Sequence, residues 1–205
     1  VIVHGRGGTA EGLLRIADEF SGGRDAARPE RGPLELVPGR SRRADRANEP
    51  ALTSAADCVA ATLDAAGDIG IGPKRVVLVG VSQGGAVVSE FLRRRPGRYG
   101  GAFVVSAALP GEDLAERSVI DEDGAVNETG LGDLAGTPVA LDSSEDDPYV
   151  PVERVRATAD VFRRGGASVD LRIDEGDGHG LSDATMARIG ERIAELLADD
   201  SALDE

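Results

Sequence analysis

Short runs that are apolar on consecutive residues recur along the chain at Val1–His4, Leu34–Val37, Arg75–Gly80, Gly101–Ser106, Pro138–Asp142 and Val169–Ile173. Such runs, rich in Val, Ile and Leu, suit strands of a parallel sheet covered on both faces. Between them the apolar positions switch to helical spacing. Thr9 can cap a helix through Phe20, and a second pattern runs from about Ala51 to Ala66 and stops at Gly67. A third begins at Gln83 and stops before Pro96-Gly97. A fourth spans Val152–Arg164 ahead of Gly165-Gly166, and a last one runs from Ser182 to about Asp199. Strand and helix alternate throughout, which predicts a mostly parallel sheet of about six strands with helices on both faces and right-handed crossovers.

Two stretches, Ser21–Gly32 and Pro38–Pro50, are polar, rich in Arg, Gly and Pro, and read as loops. Glu112–Thr137 is acidic and glycine-containing, and reads as a long connection with a short helical turn. Connections of that length in one domain often wall a pocket at the strand ends. No internal repeat and no domain boundary is visible, so 205 residues read as one domain, 1–205. The chain opens at Val1 on a strand pattern without an initiator methionine, and further N-terminal strands are expected upstream of it.

Composition narrows the function classes. No apolar run approaches the ~18 residues of a membrane helix, and no signal-peptide pattern occurs, so a cytoplasmic location without a membrane span is expected. Two histidines and one cysteine provide no zinc cluster, and Cys58 reads as a packing residue beside the stripe of Leu52, Val59 and Leu63. Asp and Glu number 37 against 23 Lys and Arg, a formal charge of −14 that argues against nucleic acid or an anionic membrane as partner. Arginine runs at Arg40–Arg43 and Arg93–Arg95 read as solvated faces paired with nearby acids. Lys74 is the only lysine, a balance that either adaptation to concentrated salt or arginine-biased coding would produce.

The strongest chemical signal is Val76-Val77-Leu78-Val79-Gly80-Val81-Ser82-Gln83-Gly84-Gly85. A buried strand runs through Gly-x-Ser-x-Gly into a helix, a sharp turn that lifts the serine hydroxyl above the sheet edge. Glycines flank it because side chains there would collide with the crossing backbone. The helix behind the serine favours negative charge developing at its N-terminus. Ser82 is therefore the candidate nucleophile, and it needs a base within hydrogen-bond reach. His179, in Gly176-Asp177-Gly178-His179-Gly180 after the last strand, is that candidate; His4 reads as a packed, hydrogen-bonded histidine. The orienting acid follows the strand Pro138–Asp142, where Asp142, Glu145, Asp146 and Asp147 compete. Asp147 is favoured by its place between strand and helix, with Asp142 and Asp146 left open. An oxyanion hole would take backbone amides from Gln83, after the nucleophile, and from Arg6 in the loop His4-Gly5-Arg6-Gly7-Gly8. That loop carries neither of the common phosphate-cradle patterns.

Together these motifs resemble the phospholipase/carboxylesterase family of small α/β-hydrolases, which includes acyl-protein thioesterases. His4-Gly5-Arg6-Gly7-Gly8-Thr9 is similar to the family's opening oxyanion turn, and Gly80–Gly85 to its elbow. Asp147-Pro148-Tyr149-Val150-Pro151 is similar to its acid motif, and Gly178-His179 to its terminal Gly-His. The resemblance implies an α/β-hydrolase fold and a triad of Ser82, Asp147 and His179, which supports Asp147 over its neighbours. It implies a carboxylesterase acting on small soluble esters through an acyl-enzyme, with no cofactor and no metal. Thioesterase or lysophospholipase activity, or an inactive binding module on the same fold, are the alternatives. Monomer and homodimer are both compatible with it. The chain departs from its relatives in having Arg40–Asn48 and no tryptophan where they carry an aromatic stretch, so their acyl-chain preference does not carry over. Serine at the elbow separates it from dienelactone hydrolases, which place cysteine there.

Overall fold

The computed structural model describes residues 1–9, 11–13, 15, 45–111, 114, 134 and 136–201. Five parallel strands form one sheet in chain order: β1 (Ile2–Val3), β2 (Val77–Val81), β3 (Gly101–Val105), β4 (Pro138–Ser144) and β5 (Ser168–Asp174). The expected strand at Leu34–Val37 and the arginines at 40–43 lie outside the described residues. So does most of the first expected helix, of which residues 11–13 and 15 are helical. Four longer helices are α1 (Asp45–Asp68), α2 (Gln83–Arg94), α3 (Val152–Arg164) and α4 (Asp183–Ser201).

Alternation within each strand divides the core into two layers. On one face Leu78, Ala102, Val104, Val139 and Leu141 pack under Leu52, Val59, Val88, Phe91, Val155 and Phe162 from α1, α2 and α3. On the other face Val77, Val79, Phe103, Val105 and Ala140 meet Ile189 of α4, with Ile193 and Leu196 beside them. Central strands apolar at every position are what two covered faces require. β5 stands at the end of the sheet and alternates instead. Val169, Leu171 and Ile173 pack against the α3 layer, while Asp170, Arg172 and Asp174 occupy the other positions.

One helix begins earlier than the sequence suggests. α1 starts at Asp45, inside the stretch read as a loop, and carries Pro50 within it. Proline there gives up the bond its amide would make to the carbonyl four residues earlier and crowds that carbonyl with its ring, at a cost of about 3 kcal/mol. Burial of Leu52, Ala55, Ala56 and Val59 in the core offsets that cost. The α1 C-terminus unwinds at Gly70, whose φ of +87° suits glycine, and Ile69 and Ile71 both donate to the Ala66 carbonyl.

The Arg93–Arg95 run is also more than a solvated face. Glu90 is fully buried on α2, and Arg93 Nη2 and Arg94 Nε both donate to its Oε1 at 2.6 Å. Arg94 reaches on to Thr53 Oγ1 of α1 at 2.9 Å, so a buried carboxylate ties the helix that follows Ser82 to its neighbour. Only Arg95 stays at the surface, in an exposed pair with Asp57. Cys58 is half-buried on α1.

Candidate active site

All five strands point their C-terminal ends the same way, and the candidate residues emerge there in successive loops. Ser82 follows β2 directly and heads α2 as its N-cap, with φ 53° and ψ −117°. A non-glycine residue in that conformation stores about 1–3 kcal/mol of strain. Close packing holds it. A Cβ on Gly80 would lie 2.4 Å from the Gly84 carbonyl oxygen, and one on Gly85 would lie 2.4 Å from Cβ of Ala107. The Ser82 amide donates to the Val105 carbonyl at 2.8 Å, which pins the elbow to the end of β3.

The loop after β5 carries His179 back over the elbow. Its Nε2 lies 2.9 Å from Ser82 Oγ, and its Nδ1 lies 2.8 Å from Asp147 Oδ2. Among the acids after β4, Asp147 is the one so placed. Its side chain is fully buried, and Oδ1 accepts the Tyr149 and Val150 amides at 2.9 and 3.0 Å. Those two bonds fix the carboxylate so that Oδ2 faces the imidazole. The loops that carry Asp147 and His179 are also joined directly, by Asp146 N–H donating to the Gly176 carbonyl at 2.9 Å.

The rival acids have other roles. Asp142 Oδ1 accepts from Arg188 Nη1 of α4, and its Oδ2 is buried without a hydrogen-bond partner. Arg188 also pairs with Asp170 on β5, so Asp142 belongs to a clamp between sheet and helix. Asp146 and Glu145 contribute backbone bonds to the β5 end. His4 is half-buried, its Nδ1 2.9 Å from the Gly5 carbonyl, and is not part of the Ser82–His179–Asp147 line.

Arg6 and Gly7 sit at the centre of a tight turn closed by Gly8 N–H donating to the Gly5 carbonyl at 3.1 Å, with Gly7 at φ +73°. The turn abuts the elbow: a Cβ on Gly5 would be 3.3 Å from Ser82 Cβ and 3.9 Å from its Oγ. Gln83, the first residue of α2, follows the serine on the other side.

Two further side chains border the cluster, Tyr149 from within the acid motif and Ser106, which carried no sequence signal. The Tyr149 ring, 71% exposed, meets the His179 ring edge-on with centroids 4.8 Å apart. Ser106, at φ 47°, accepts the Gly180 amide on its Oγ at 2.9 Å. Among the described residues no group of three or more His, Cys, Asp or Glu is arranged to hold a metal, and no helix is long and apolar enough to cross a membrane. A cavity of about 220 Å³ under α4 opens beside Gly101, Pro138 and Ser168, at the opposite ends of the strands from this cluster.

A parallel sheet with helices on both faces, and a strand–serine–helix elbow at its C-terminal edge, define the α/β-hydrolase fold. Residues 37–197 match the phospholipase/carboxylesterase family, and the chain belongs to it. Solved structures agree on the fold. A phospholipase/carboxylesterase from Dyadobacter fermentans is 24% identical, with 94% of this chain and 88% of that one covered and a TM-score of 0.75. SOBER1 from Arabidopsis thaliana is 22% identical over 96% and 97% of the two chains, also at 0.75. A carboxylesterase from Mesorhizobium loti is 19% identical over 94% and 86%, at 0.69. At these identities the likeness is one of fold. No curated protein sequence matches the chain.

Proposed function

We propose that the chain is a serine carboxylesterase that hydrolyses small soluble esters through an acyl-enzyme on Ser82. The observation that carries this is the continuous hydrogen-bonded line from Ser82 Oγ through both nitrogens of His179 to buried Asp147. In that arrangement His179 Nε2 takes the hydroxyl proton as Oγ attacks the ester carbonyl. Asp147 holds the proton on Nδ1, so Nε2 is the free base, and stabilises the imidazolium that forms. The oxyanion forms between the amides of Gln83 and Arg6, each worth about 3 kcal/mol in the transition state. The α2 N-terminus adds a favourable dipole. His179 then protonates the departing alcohol, and returns as base for the water that releases the acid.

Membership of the phospholipase/carboxylesterase family supports ester chemistry. The polar stretch Arg40–Asn48, where relatives carry an aromatic one, and an aromatic content of 3% support small substrates over long acyl chains, which need a broad apolar surface. Ser82→Ala should abolish turnover of p-nitrophenyl acetate with little change in thermal unfolding. A panel of esters, thioesters and lysophospholipids of varied chain length should show its highest kcat/KM on short oxygen esters. Near-wild-type turnover by Ser82→Ala would overturn the mechanism, and a preference for long-chain or thioester substrates would overturn the substrate class.

A further inference from the structure

The end of β3 touches both halves of the candidate pair. Val105 accepts the Ser82 amide through its carbonyl, and the next residue, Ser106, accepts the Gly180 amide through its side chain. Gly180 directly follows His179. Ser106 and Ser82 are the two non-glycine residues at positive φ among the described residues. A serine in left-handed backbone has a cost that glycine would avoid, so its presence points to its hydroxyl. That hydroxyl is buried, the residue being 2% exposed, and its direction is set from behind by Ser106 N–H donating to the Asp142 carbonyl at 2.7 Å.

The loop it holds needs holding. Gly176, Gly178 and Gly180 supply three of the five residues from 176 to 180, and Gly176 and Gly180 lie at φ +96° and +123°. A Cβ on either of these two would meet nothing within 4 Å, so no packing defines the backbone at those points. Glycine-rich chain loses the most freedom on ordering. Its N-terminal end is tied by the Asp146 amide on the Gly176 carbonyl, and its C-terminal end by the Gly180 amide on Ser106 Oγ.

We propose that Ser106 is a positioning residue for His179. Its hydroxyl anchors the far end of the base loop to the strand that also anchors the nucleophile, and so sets Nε2 against Ser82 Oγ. The proposal rests on the reading of Ser82, His179 and Asp147 as the catalytic set. Its effect belongs to kcat, because a misplaced base slows the chemical step without touching the substrate. A displacement of about 1 Å at a reacting group costs on the order of 100-fold.

The test compares Ser106→Ala and Ser106→Gly in the full chain, by p-nitrophenyl acetate kinetics and by proton NMR of the downfield Nδ1–H resonance of the Asp147-bound imidazole. Ser106→Ala removes the hydroxyl alone, while Ser106→Gly removes the whole side chain but relieves the positive φ, so it guards against a folding defect in Ser106→Ala. Both variants should lower kcat by about 10- to 100-fold at nearly constant KM. The downfield resonance should broaden or vanish in both, while the urea midpoint of Ser106→Gly stays near wild type. A glycine variant with wild-type kcat and a sharp resonance would overturn the proposal, as would lost activity with the resonance unchanged. The resonance is read without substrate, so a wild-type chain inert towards every ester would sink the functional reading and leave this test standing.

Discussion

A Cβ on Gly84 would lie 2.0 Å from the carbonyl oxygen of Val3, so α2 leaves the elbow in backbone contact with the end of β1. No side-chain movement can relieve that overlap, because both contacting groups are main chain. Gly84→Ala should therefore destabilise the protein by about 3 kcal/mol or more in urea unfolding, at the upper end of overpacking costs. Gly67, in the last turn of α1, has open space where a methyl group would stand, with nothing within 4 Å, and Gly67→Ala should stabilise by about 0.5–1 kcal/mol. Equal midpoints for the two variants would contradict the close-approach argument.

The carboxylates after β4 separate by what they touch. Asp147→Asn keeps the shape but turns the imidazole to the wrong tautomer, and should lower kcat by about 10⁴-fold. Asp146→Asn should leave kcat within a few-fold of wild type, since its side chain contributes nothing to the Asp146–Gly176 backbone bond. Asp142→Asn breaks the pair with Arg188, and should lower the urea midpoint far more than kcat. Steady-state kinetics and unfolding on the three variants check the ordering.

Glu90 supplies a structural counterpart. Removing this fully buried carboxylate leaves Arg93 and Arg94 without their shared partner, although both side chains retain some access to water, at 12% and 20% exposure. Glu90→Ala should cost about 2–3 kcal/mol in unfolding while specific activity of the folded protein stays unchanged. A midpoint at the wild-type value would show that the α1–α2 tie is idle.

Much of the sheet is legible in the sequence, because runs such as Val76–Val79 and Ala102–Val105 are apolar on both faces and match only strands covered twice. α3 is legible to the residue, since Pro151 opens it and Gly165-Gly166 closes it. The start of α1 is not, because Pro50 and a charged composition look like a loop when helix propensity is read against a breaker. At the site, chain order and the elbow glycines narrow the candidates to a few side chains, and the fold then shows which of four neighbouring acids faces His179. Glu90 and Ser106 are hidden for a different reason. Burial of a lone acid on a helix, and positive φ at a serine, depend on tertiary neighbours that leave no periodic trace.

Salt should act on the whole molecule. A formal charge of −14 with Lys74 as the only lysine crowds carboxylates against one another, and counterions screen that repulsion. Near molar salt the Debye length falls to about 3 Å, short enough to screen neighbouring surface charges. Melting temperature and esterase activity should both rise between low and molar KCl. A flat or falling melting curve would rule out adaptation to high salt and leave the site chemistry as it stands.

All of the proposed chemistry turns on Ser82 as the nucleophile and His179 as the base that activates it. Labelling with a fluorophosphonate, followed by peptide mapping, tests both at once, because the reagent forms a stable adduct only with an activated serine. A single adduct is expected on the peptide containing Ser82, formed rapidly by the wild-type chain and at least about 100-fold more slowly by His179→Ala. No adduct, an adduct on another serine, or equal labelling rates for the two proteins would contradict it.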